Sequence, residues 1–183
     1  MLLAGLFLQA APKVTAPPVK VRKALKLDTF YQKHVDVGGF SIVSSKKVSD
    51  YALLEAAYLI EQMLEDRQDI IRAMAKNKVR FAIMAHNEYT TDIPEHRDLQ
   101  PRLYWNKRAR GLGATPERPA VSCGEENLLL YPKDPYSTEN ILIHEFAHAI
   151  HQMGLSVTDP TFDERLEATY DAAMKQKLWK GKY

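Results

Sequence analysis

The chain has one cysteine, Cys123, in 183 residues. No intramolecular disulfide can form, and no zinc cluster built on cysteines is available. Charge of one sign is also missing: 25 Lys and Arg against 23 Asp and Glu leave a net charge of +2. That balance gives no basic footprint for nucleic acid, so no nucleic-acid partner is expected. No apolar run approaches the ~20 residues that cross a bilayer, and no stable membrane insertion is expected. Internal repeats are absent, which excludes solenoids and propellers. What remains is an ordinary globular composition, 45% hydrophobic and 26% charged, at the length of one domain.

The first eleven residues, Met1 to Ala11, are apolar and end in small side chains, like the apolar part and cleavage site of an export signal. The basic residues that usually precede such a segment are absent. Ala11 to Lys26 carries Pro12, Pro17 and Pro18 and reads as a linker. The expected organisation is a signal-like segment and linker over 1–26 and one domain over 27–183. The expected location is secreted or extracytoplasmic.

Periodicity places the elements. Gly38-Gly39 marks a turn before a strand over Phe40 to Ser44. Ser49 or Asp50 caps a long amphipathic helix of about residues 50–76, with Leu53, Ala56, Ala57, Ile60, Met63, Leu64, Ile70, Ile71 and Met74 at helical spacing. Val79 to Ala85 predicts a buried strand. His86 to Ala120 is polar and loop-like. Asn127 to Tyr131 predicts an edge strand, and Ser137 or Thr138 a cap for a helix over Glu139 to Met153, closed by Gly154. A last helix runs from about Thr161 to Leu178. This order predicts an α+β domain: a long helix backing a small mixed sheet, with the second helix along the floor of a cleft.

That second helix carries His144-Glu145-Phe146-Ala147-His148. Residues four apart share one helix face, so both imidazoles can reach one zinc ion, their nitrogens converging within about 3–4 Å. Glu145 sits about 100° around the helix, beside the metal rather than on it. A carboxylate there can take a proton from a zinc-activated water and pass it to the leaving amine. A chance match to His-Glu-x-x-His in this composition is expected about 0.01 times. The surrounding Ile141, Leu142, Ile143, Phe146, Ala147 and Ile150 predict a buried, rigid helix. His151 lies near the same face, one turn on.

A catalytic zinc needs a third protein ligand. In-chain candidates are Glu164 and Glu167, and less typically Asp163 or Asp171. The helix pattern opposes them: Phe162, Leu166, Tyr170 and Ala173 form its apolar face, with Glu164, Glu167 and Asp171 opposite. Position 154, where a metzincin needs histidine, is Gly154, so that pattern is excluded.

Arg110-Gly-Leu-Gly-Ala-Thr-Pro, Ser122-Cys-Gly-Glu-Glu-Asn-Leu-Leu and Glu139-Asn-Ile-Leu-Ile-His-Glu-Phe-Ala-His together resemble gluzincin peptidases similar to the catalytic domain of anthrax lethal factor. The similarity runs from about Tyr31 onward. It implies a zincin-like fold and a zinc endopeptidase acting on a peptide or protein substrate. His144 and His148 then bind zinc, and Glu145 is the general base. Tyr183 would match a family tyrosine that stabilises the oxyanion, and the ligand glutamate would lie past Tyr183, in a C-terminally truncated chain. An inactive module of the same fold, used for binding or structure, is the alternative.

Other residues offer weaker signals. His86, Glu88, Glu95 and His96 read as surface loop positions. Tyr104, Trp105, Lys107, Arg108 and Arg110 read as a solvated cleft rim. Glu125-Glu126 reads as a solvated turn, and Cys123 as a small core or loop residue.

Overall fold

The computed structural model describes residues 12–178. The apolar segment 1–11 and Tyr183 lie outside the described residues. The fold is α+β, with one mixed five-stranded sheet in the order β1-β2-β3-β5-β4. Strands β1 (Lys33–Val37) and β2 (Phe40–Ser44) form an antiparallel hairpin. Its turn residues Gly38 and Gly39 have φ of 58° and 89°, which two-residue hairpin turns of the twist-matching type require. Strand β3 (Arg80–Met84) runs parallel to β2, and β5 (Ala120–Gly124) parallel to β3. These three strands are buried at every position, as parallel strands covered on both faces must be. Strand β4 (Gly111–Leu112) closes the sheet, antiparallel to β5.

The predicted long helix is two helices. Helix α2 (Asp50–Leu64) starts at Ser49, whose hydroxyl accepts the Tyr51 N–H. It stops at Leu64, and α3 (Gln68–Lys76) follows. In a continuous helix, Arg67 and Gln68 would extend the buried stripe of Ala57, Ile60 and Leu64. The break leaves residues 65 to 69 in solvent and still buries Ile70, Ile71 and Met74. The stretch read as a linker also holds structure: α1 (Val19–Leu25) and a bridge from Thr15 to His34.

The apolar run after β5 is not a strand. Glu125 to Leu128 forms a short helix, α5, and Leu130 turns out to solvent at φ 54°. The loop-like stretch 86–120 contains α4 (Arg102–Arg108) and β4. Helix α6 (Ile141–Ala149) continues through one turn of π-helix (Ile150–Leu155) into α7 (Ser156–Thr158), and α8 (Phe162–Lys175) follows. Gly154 therefore does not close α6. It lies in the π turn against α3, where an added Cβ would sit 2.7 Å from Ile70 Cγ2.

Helices α2, α3 and α6 cover one face of the sheet, around Ile42, Phe81, Ile83, Val121 and Cys123. The opposite face buries Tyr31, Val43, Ala82, Met84 and Ile93 in a smaller cluster. Phe146 of α6 is fully buried between Phe40 and Phe81, with ring centroids 5.5 and 6.2 Å away. Among the described residues, no helix is long and apolar enough to cross a membrane.

Candidate metal centre

Phe146 decides where the histidines point. Positions two before and two after it are each turned about 200° away, so a buried Phe146 sends His144 and His148 outward together. Helix α6 is consequently half-buried rather than enclosed. Ile141, Leu142, Phe146 and Ala149 face the core, while Ile143, His144, Ala147 and His148 are exposed. The start of the helix is fixed from two sides. Asn140, not Ser137 or Thr138, is the cap, its side-chain oxygen accepting the Ile143 N–H at 3.0 Å. Asn127 Oδ1 accepts the Ile141 N–H at 2.7 Å, and its Nδ2 reaches Asp134 Oδ2 at 2.7 Å and the Glu139 carbonyl at 3.0 Å.

The two imidazole rings are 5.2 Å apart, centroid to centroid. The ligand atoms of His144, Glu145 and His148 all lie within 4.8 Å of one another. Two nitrogens on one ion at about 2.0–2.1 Å can be at most about 4.2 Å apart. Exposed side chains can make that adjustment, so the three residues could hold a metal ion. Glu139 Oε2 lies 3.5 Å from His144 Nδ1.

Glu145 lies beneath β4. Gly113 packs against its carboxylate, where an added Cβ would stand 3.5 Å from Oε2. Burial pushes this carboxyl above its ordinary value, with His144 and His148 opposing the rise. Close approach of β4 needs its glycines. A Cβ on Gly111 would meet Ile141 Cγ2 at 2.3 Å, the Ser122 carbonyl oxygen at 2.7 Å and Glu145 Cγ at 3.2 Å. A cleft of about 400 Å³ opens beside this strand, lined by Leu112, Tyr136, Glu139, Ile141, His144 and Glu145.

Other candidate residues take different places. Asp163 pairs with His151 at 2.6 Å and also accepts from Ser156. Its hydrogen bond from His151 holds its carboxyl below the ordinary value. Among the described residues, neither Glu164, Glu167, Asp163 nor Asp171 joins the metal-capable group. The apolar face of α8 is largely exposed among the described residues, with Leu166 and Tyr170 open and Ala173 buried.

Several residues read as surface positions are buried supports. Glu125 accepts the Ser49 N–H at 2.8 Å and the His86 N–H at 3.1 Å, and faces His86 Nδ1 at 3.0 Å. Arg110 donates to Glu126 Oε2 at 2.9 Å and to the Ala85 carbonyl at 3.2 Å. Glu88 accepts the Ala85 N–H at 2.9 Å. These bonds tie β4, α5 and the end of β3 into one frame around the cleft. Sequence reasoning missed Asn127 and Ser122 as supports. Their signal was only their place in the Ser-Cys-Gly-Glu-Glu-Asn segment, since polar residues in and just after a buried strand must find partners or face solvent. Cys123 is a core residue, its thiol pushed well up by burial.

Comparison with protein-family models, curated proteins and solved structures returns no match.

Proposed function

We propose that this protein is a zinc-dependent endopeptidase of the gluzincin type, with a zincin-like fold. One observation carries the reading. Two outward-facing histidines share a helix turn, and a half-buried carboxylate between them lies beneath an edge strand and beside a cleft.

His144 and His148 would hold the zinc ion, which when bound polarises a scissile carbonyl and lowers the pKa of water. Glu145 accepts the proton of the attacking water on its carboxylate and delivers it to the leaving amine. Burial suits it to the first of these steps, because a carboxylate whose pKa is raised is a stronger base toward the attacking water. Gly111 and Gly113 pack against Glu145 from the side of β4. Strand β4 offers a sheet edge along which an extended peptide can add as a further strand. That edge is Gly111–Leu112, not the Asn127–Tyr131 segment.

The test is zinc content by elemental analysis together with cleavage of an internally quenched peptide library, for the protein and for Glu145→Gln. The expected result is zinc in both and cleavage only with Glu145. Cleavage by Glu145→Gln would refute the role of Glu145, and a zinc-loaded native protein that cleaves nothing would refute the peptidase.

A second reading has its own observation. Only His144, Glu145 and His148 form a metal-capable group among the described residues, and a catalytic zinc takes three ligands besides the base. On that basis the domain is a zincin-fold binding module with weak metal affinity. Zinc affinity separates the two readings, since two histidines alone hold zinc poorly.

A further inference from the structure

A buried histidine lies behind the sheet strand that covers Glu145. His96 ends a 3-10 turn, Pro94–His96, and is 1% exposed. Its Nε2 lies 3.1 Å from Ser122 Oγ, a fully buried hydroxyl on β5. The same hydroxyl oxygen accepts the Leu112 N–H at 3.2 Å. His96 Nδ1 has no partner among the described residues. An orphaned buried nitrogen destabilises a fold, and an apolar side chain at this position would avoid that cost. Burial also keeps the ring neutral, its pKa pushed down to about 4. The contact through Nε2 is therefore the feature that distinguishes this residue from a plain core filler.

That contact reaches the strand over the metal centre. Strand β4 is two residues long and pairs on one side only, so few backbone bonds hold it. Arg110, just before it, is anchored to Glu126. Leu112 is anchored through Ser122. Gly111 lies against Ile141 and Glu145 Cγ, and Gly113 against His148 Cβ and Glu145 Oε2. Leu112 stands between these glycines, so the position of its amide sets where both meet α6.

We infer that the buried His96–Ser122 pair sets the seating of β4 on the His-Glu-x-x-His helix, which makes His96 a positioning residue for Glu145. The inference rests on Glu145 being the base of the proposed reaction. His96 is not one of the residues of the metal-capable group. It acts through the Ser122 hydroxyl, the Leu112 amide and the packing of Gly111 and Gly113 on Glu145 in turn.

Three variants test this: His96→Leu, His96→Gln and Ser122→Ala. Glutamine can bring an amide nitrogen to the place of Nε2, and leucine cannot. Amide hydrogen exchange in the metal-free protein reads the seating without reference to activity. His96→Leu and Ser122→Ala should speed exchange at Leu112 about tenfold, the effect of losing one hydrogen bond, and leave Ile42 and Phe81 in the neighbouring strands unchanged. His96→Gln should stay near the native rates. Peptide hydrolysis should follow the same order, kcat falling about tenfold in the leucine variant with KM within about twofold. Equal exchange in the leucine and glutamine variants, or faster exchange across the whole sheet, would show that His96 only fills space and overturn the inference. A native protein without peptidase activity but with the predicted exchange pattern would refute the proposed reaction and uphold the seating of β4. Ser122→Ala removes one oxygen atom and reads the same contact if His96→Leu fails to fold.

Discussion

Replacing Gly111 by alanine should destabilise the protein, while the same change at Gly113 should not. The two glycines lie on either side of Leu112, and neither has a positive φ, so backbone strain does not separate them. Space does. The new Cβ at position 111 would sit 2.3 Å from Ile141 Cγ2 and 2.7 Å from the Ser122 carbonyl oxygen. The Ile141 methyl can rotate, but the carbonyl belongs to the paired strand and yields only if β4 lifts. Overpacking of this kind costs about 1–3 kcal/mol. At position 113 the closest approaches are 3.4 Å to His148 Cβ and 3.5 Å to Glu145 Oε2, ordinary contacts. Both changes reduce unfolded-state entropy, a gain of about 0.4–1 kcal/mol common to the two. The difference between the variants is thus about 1–3 kcal/mol. For a chain of this length it shifts the melting temperature by about 3–10 °C, with Gly111→Ala lower. Thermal unfolding followed by circular dichroism, at fixed pH with a chelator present, measures it. Equal melting temperatures would show that β4 does not rest on α6 as described.

The remaining predictions concern the centre and its supports. His144→Ala and His148→Ala should each abolish zinc retention through gel filtration, read by elemental analysis, because one imidazole cannot hold the ion. Phe146→Ala should cost about 3–5 kcal/mol in denaturant unfolding, since the ring is fully buried between Phe40 and Phe81. Glu145→Gln should stabilise the metal-free protein. The folded-state value of this carboxyl is raised by burial, so ionisation is disfavoured, and native stability declines as pH rises from the unfolded value of 4.5 through the folded one. Glutamine escapes that decline, and melting scans should therefore show its advantage near neutrality and none well below 4.5. His96 works in the opposite direction: its folded value of about 4 lies below the unfolded 6.5, so stability is full above 6.5 and lost as pH falls toward 4. The loss approaches about 3 kcal/mol, and His96→Gln should remove that part of the slope in urea titrations.

The local signals were legible where one periodicity ruled. Strands β2 and β3 and helices α2 and α6 all stand close to where alternation and helical spacing put them, because each buries one stripe or run that no neighbour can relocate. Errors arose where polar partners overrode apolar pattern. The leucines at 128 to 130 read as a strand, yet Glu125 and Glu126 had to meet Ser49, His86 and Arg110, and their carboxylates close β5 and start a helix instead. The helix over 50–76 broke because Arg67 and Gln68 would have entered the core. His96, Glu88 and Arg110 read as surface residues, since a sequence does not show which distant hydroxyl, amide or carboxylate will satisfy a buried polar group.

Sequence alone determined the spacing of His144, Glu145 and His148, and helix geometry then required both imidazoles on one face with the carboxylate beside them. Whether that face opened to solvent or to the core was decided only by tertiary packing. Phe146 fills the space between Phe40 and Phe81, which turns the histidines outward, and Gly111 and Gly113 let β4 pack down onto Glu145. These are contacts between segments far apart in the chain, and no local pattern encodes their distances.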